Sequence, residues 1–128
     1  MKNVQRRQIQ KGFSLIELLV VLLILGVLTA VAFPSYLTSV NASREEAANS
    51  NARALATAAQ SRSTTANAYD TMVADYAVDL GGAVPLNPCS GTAATGYTIT
   101  ATATTASVSA VAGTVCGPWT PAVYNLTL

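Results

Sequence analysis

The sequence of 128 residues predicts an α+β fold. A long N-terminal helix over about residues 14–65 would pack, by its C-terminal half, on a small antiparallel sheet of three or four strands. Three observations predict it. Phe13 to Phe33 is an apolar stretch of 21 residues, and from Ser35 to about Ser63 nothing breaks a helix. The last third instead alternates like short strands between glycine and proline turns.

Composition narrows the function classes before any motif is considered. Hydrophobic residues make up 51% and charged residues 10%, so the chain as a whole does not read as disordered. Histidine is absent, which removes imidazole acid–base chemistry and the commonest metal ligand. Two cysteines at this spacing cannot build a four-thiolate zinc site or a redox C-x-x-C pair. There is no Ser–His dyad, and no glycine-rich phosphate loop follows a strand. The sequence therefore reads as a non-enzyme with no cofactor and no metal site.

Charge is placed unevenly. Lys2, Arg6, Arg7 and Lys11 precede Phe13, whereas beyond Gly12 only Arg44, Arg53 and Arg62 face six acids: Glu17, Glu45, Glu46, Asp70, Asp75 and Asp79. Leu80 to Leu128 carries no charged side chain. Thr, Ser, Asn and Gly must solvate that region, or part of it meets a partner.

As a helix, Phe13 to Phe33 would span about 31 Å, close to the roughly 30 Å hydrocarbon core of a bilayer. The basic cluster before it and Glu45/Glu46 after it predict a cytoplasmic N-terminus, with everything past Pro34 on the outer side. A removable secretory signal ending at Ala30-Val31-Ala32 and a plain single-pass anchor are the two ordinary readings. Glu17 weighs against both, because an ionised carboxylate inside such a span costs about 2.5–3.5 kcal/mol on insertion scales. Such a carboxylate needs a positive partner or a proton. Cutting after Gly12 would create a cation, the α-ammonium of Phe13. In one helix it would sit about 6 Å along the axis from Glu17, whereas an axially shifted second copy could bring its own beside the carboxylate.

Lys11-Gly12-Phe13-Ser14-Leu15-Ile16-Glu17 resembles the processing site of type IV pilins and the related type II secretion pseudopilins. The stretch to Pro34 resembles their N-terminal assembly helix, so the resemblance covers about 25 residues; beyond them only the architecture agrees. It implies a cleaved leader (1–12), a transmembrane and assembly helix (13–34) and a globular domain (35–128). Within that domain it implies helix over 35–65, a connecting loop over 66–95, and sheet and C-terminal region over 96–128. A prepilin peptidase would cut between Gly12 and Phe13 and methylate the Phe13 amine. Glu17 would pair with the Phe13 ammonium of a neighbouring subunit. Gly26 and Pro34 would bracket a part of the helix able to lose regular hydrogen bonding. Their propensities agree, since glycine is a weak helix former and proline lacks a donor; a close-packing glycine and a mild kink are the alternative. The twelve-residue leader is on the long side for short-leader pilins.

The implied function is that of a major-type subunit polymerising into a type IV pilus for adhesion, twitching motility or DNA uptake. A major pseudopilin of a type II secretion system and a ligand-binding minor pilin are the alternatives. Implied partners are copies of itself, the prepilin peptidase, the inner-membrane assembly machinery and, before assembly, the bilayer. The implied location is the inner membrane, then the cell-surface pilus. The Glu17 position argues for a repeating subunit, and a cysteine pair without nearby carboxylates argues against a calcium-dependent pseudopilin.

In the alanine-rich continuation, Ala48, Ala52, Leu55 and Ala59 share one helical face that lets a sheet lie close. Arg44, Arg53 and Arg62 are nine residues apart, so successive ones differ by about 180° around the axis. They form no basic stripe, and no direct nucleic-acid binding is predicted. Asp70, Asp75 and Asp79 suit capping or surface positions better than a calcium site. Tyr97–Ala103, Ser107–Val111, Thr114–Cys116 and Val123–Leu128 are the strand candidates. Cys89 and Cys116 read as a disulfide, given an oxidising compartment and an even count, and many pilins carry such a C-terminal pair. Trp119 reads as packing rather than an adhesive contact. Asn41-Ala42-Ser43 and Asn125-Leu126-Thr127 match the N-glycosylation triplet, a weak signal here.

Overall fold

The computed structural model describes residues 12–102 and 104–128. The leader side chains Lys2, Arg6, Arg7 and Lys11, and Ala103 at the end of the first strand candidate, lie outside the described residues. One helix, α1 (Leu15–Ala66), leads into a connecting segment and three strands, β1 (Tyr97–Ala101), β2 (Thr105–Ala110) and β3 (Val123–Thr127). The strands form an antiparallel meander in the order β1-β2-β3. This is the α+β arrangement expected from the sequence, with three strands.

The chain divides into two compact units, one ending at Tyr36 and one spanning Leu37–Leu128. In the first, every large apolar side chain from Phe13 to Phe33 is exposed, Leu15 to 81% and Val31 to 75%. That helical stretch is long and apolar enough to cross a membrane. Pro34 lies inside α1 without ending it.

The second unit holds the core. Ala48, Ala52, Leu55 and Ala59 are completely buried, as their spacing predicts, and Ala56 and Ala58 are nearly so. The small side chains admit a close sheet, and the inward residues of β1 and β2 meet them. Ile99 stands opposite Val108, and Tyr97 opposite Ala110. Strand alternation sends Thr98 and Thr100 outward, so a charge-free hydroxyl face does the solvating. The helix stops where Asn67 takes a left-handed turn (φ 53°) and donates its N–H to the Ser63 carbonyl at 2.8 Å.

The connecting segment is tied down at two places. A 3₁₀ helix, Val73–Ala77, is anchored by the fully buried Tyr76. Farther on, Cys89 and Cys116 form a disulfide with Cα atoms 5.0 Å apart. Thr114–Cys116 is a correction to the sequence reading, because it forms no strand. Its Thr-Val-Cys composition suits a strand, but Cys116 is bonded to the Cys89 loop and Val115 N–H points to the Cys89 carbonyl at 3.2 Å. Gly113 passes so near that backbone that an added Cβ would overlap the Cys89 carbonyl, and Gly117 (φ 79°) turns the chain away.

Candidate functional site

The chemistry of the sequence concentrates at the head of α1. Gly12, Phe13 and Ser14 precede the first helical residue, so the Gly12–Phe13 peptide bond lies in non-helical backbone. Both residues are exposed, and a Cβ at Gly12 would meet nothing within 4 Å.

Ser14 serves as the N-cap. Its carbonyl accepts the Leu18 N–H at 3.3 Å, and its own N–H is donated to Glu17 Oε2 at 2.9 Å. Ser-x-x-Glu is the capping-box spacing, in which the acid reaches back over the first turn. The sequence reading looked only for a cation beside Glu17 and missed this donor, although the four-residue pattern announces it. The carboxylate also benefits from the positive end of the helix dipole. Neither contribution neutralises it: among the described residues the ion pair formed is Arg62–Asp79, far along the chain. Glu17 is left exposed, flanked by Phe13, Ile16, Val20 and Val21.

The remaining polar member of the apolar stretch is silent. Thr29 Oγ1 donates to the Leu25 carbonyl at 2.7 Å, which satisfies the hydroxyl inside its own helix. At Gly26 an added Cβ would meet nothing within 4 Å, so packing within the chain does not require a glycine there. Pro34 cannot donate to the Ala30 carbonyl, which removes one rung of the ladder.

The acids of the connecting segment have local partners. Asp70 Oδ1 accepts the Met72 N–H at 2.9 Å, and this hydrogen bond holds its carboxyl below the usual value. Asp75 is pushed up by its hydrogen bond to Asp70 and by the charge of that neighbour. Asp79 pairs with Arg62 at 3.5 Å. Arg62 also donates from Nη1 to the Asp75 carbonyl at 2.5 Å and lies 5.3 Å from the centre of the Tyr76 ring. Trp119 is half-buried against the core, a packing position.

Sequence reasoning also missed Asn87. Its side chain is fully buried; Nδ2 donates to the carbonyls of Gly96 (2.6 Å) and Val111 (3.0 Å), and Oδ1 accepts the Cys89 N–H (2.9 Å). One amide thus joins the disulfide loop to the ends of β1 and β2.

Comparison with known proteins places the N-terminal segment. Residues 7–33 match the family model described as the prokaryotic N-terminal methylation motif. The fimbrial protein EcpC of Eikenella corrodens is 57% identical over 30 residues, covering 23% of this chain and 20% of that protein. The type IV major pilin protein PilA of Myxococcus xanthus (strain DK1622) is 35% identical over 71 residues, covering 56% and 30% respectively. A fimbrial protein of Pseudomonas aeruginosa is 46% identical over 52 residues, covering 41% and 34%. The matches thus span between a fifth and about a third of the relatives' lengths. No solved structure matches.

Proposed function

We propose, from the premise that the chain is a type IV pilin, that it is the repeating, major-type subunit of a type IV pilus. In this reading a prepilin peptidase removes residues 1–12 at the exposed, non-helical Gly12–Phe13 bond and methylates the Phe13 amine. Residues 13–34 hold the precursor in the inner membrane with its N-terminus cytoplasmic, and 35–128 fold on the outer side. The assembly machinery then moves subunits from the bilayer into a helical filament on the cell surface. The observation that carries the proposal is Glu17: an exposed carboxylate in an apolar stretch, held by one backbone N–H and by no described cation. The Phe13 ammonium of an axially displaced copy supplies the missing charge, and in a low-dielectric filament core such a pair attracts more strongly than in water.

Gly26 and Pro34 take a mechanical role in the same scheme. The open space around Gly26 and the missing donor at Pro34 support a stretch of α1 that can exchange helical hydrogen bonds for closer packing between copies. The Cys89–Cys116 bridge, in a region without carboxylates, supports a pilus subunit over a calcium-dependent pseudopilin. Adhesion, twitching motility and DNA uptake are the roles open to such a filament, and no catalytic role is assigned.

Intact mass and N-terminal sequencing of sheared filaments test the proposal. The expected subunit begins at N-methylated Phe13; one beginning at Phe33 would overturn it. Glu17→Ala is expected to be cleaved normally, yet to lower the recovered filament at least about tenfold, the loss of one buried charge pair. Wild-type filament yield from that variant would contradict the pairing.

A further inference from the structure

Two features of the Leu37–Leu128 unit remain without a partner. The first is a groove of about 430 Å³ between α1 and the outer edge of β3, where Gln60 Nε2 already donates to the Thr127 carbonyl at 3.2 Å. Arg53, Ala56 and Thr57 form one wall, Val123 and Leu126 the other, and Gln60 closes one end. Val123 is 58% exposed, and β3 carries no charge, proline or bulge to guard its edge. Exposed strand edges are normally blunted or covered.

The second feature is the turn around the Val73–Ala77 helix. Met72 and Val78 expose 62% and 84% of their surface, and Asp75 is exposed between them. The turn is held firmly from beneath. The Tyr76 hydroxyl donates to the Asp70 carbonyl at 2.7 Å and accepts the Asp70 N–H at 3.1 Å, while Arg62 braces Asp75 and Asp79.

We propose that this Met72–Val78 turn of one copy docks in the α1–β3 groove of a second copy, Asp75 of the first pairing with Arg53 of the second. The contact rests on the pilus-subunit reading and deepens it by naming a surface between copies. Charge complementarity selects the occupant. Arg53 is the cation of the groove, and the groove lining carries no carboxylate side chain to match it. Asp75 is held up by its hydrogen bond to Asp70 and by that neighbour's charge, and an incoming guanidinium favours its charged form. Position agrees. The turn is braced by Arg62, and Arg53 lies nine residues back, about 180° around the axis. Knob and groove therefore flank α1 on opposite sides. A contact between unlike surfaces repeats head to tail, and where its rotation does not close a ring it generates an open helical polymer. Docking would also cover the β3 edge.

The full chain tests this in cells that display its filaments. Arg53→Glu and Asp75→Arg are each expected to lower the yield of sheared filament about tenfold, and the double reversal to restore most of it. Thermal unfolding of each detergent-solubilised variant separates misfolding from lost contact. A second arm does not depend on charge: Val78→Cys with Asn125→Cys in one chain should give a ladder of covalent multimers on a non-reducing gel. Filaments of normal yield from both single reversals, or intact filaments of the cysteine variant without a ladder, would overturn the contact and leave the subunit role standing. A wild-type chain that never forms filaments would overturn both.

Discussion

Asn87 concentrates more of the fold's specificity than any other polar side chain in the sheet unit. Three backbone groups from three segments end on one amide, which is completely shielded from water. Removing it strands those groups in a dry environment, where each unmet hydrogen bond costs about 1–3 kcal/mol. Asn87→Ala is therefore expected to destabilise the unit by about 2–4 kcal/mol, seen as a lowered midpoint in denaturant unfolding of the full chain in detergent. None of this could be foreseen from Asn87-Pro88, which reads as a turn wherever it occurs. Glu17 is the opposite case. Its isolation in an apolar run is visible in the sequence, and so was the Ser14 spacing that supplies its first hydrogen bond.

At the scale of elements, α1 was the most legible, because a long apolar span and an alanine-rich continuation hold one helix through Gly26 and Pro34. The expected bounds of about 14–65 fall within a residue of Leu15–Ala66. The buried face was legible for the same reason, since Ala48, Ala52, Leu55 and Ala59 recur at helical spacing. Thr114–Cys116 was misread because strand propensity is local, whereas the disulfide and the Cys89 backbone that capture this segment are not. The two 3₁₀ turns of the connecting segment, Val73–Ala77 and Ala94–Gly96, had no usable periodicity. Close approach of sheet to helix leads to a further expectation. Ala52 is fully buried, so Ala52→Leu overfills the seam and should cost about 1–3 kcal/mol, measurable as a drop in melting temperature. The same change at exposed Ala54 should have little effect.

The whole molecule separates its chemistry by region. Apolar surface dominates the segment up to Tyr36, the Arg62–Asp79 ion pair and five of the six carboxylates occupy the middle, and uncharged hydroxyls and amides solvate the end. This arrangement leaves few groups to couple stability to pH. In the alkaline range the coupling falls to Tyr76 and Tyr97, whose hydroxyls are pushed up by burial. A phenol harder to ionise in the folded state stabilises the fold below the ordinary value of about 10 and loses that contribution as pH rises through the raised one. Stability should therefore fall above about pH 10, followed by circular dichroism, and fall less steeply in a Tyr76→Phe variant.

The Cys89–Cys116 bond has a mechanical consequence. It closes across β1, β2 and the turn between them, with 27 residues of sequence separation reduced to a 5.0 Å span. When the chain is stretched between its helix and its last strand, tension runs through the sulfurs and bypasses the hairpin entirely. About 90 Å of contour is thereby withheld from extension. A fibre of such links stays short under load even where individual links begin to yield.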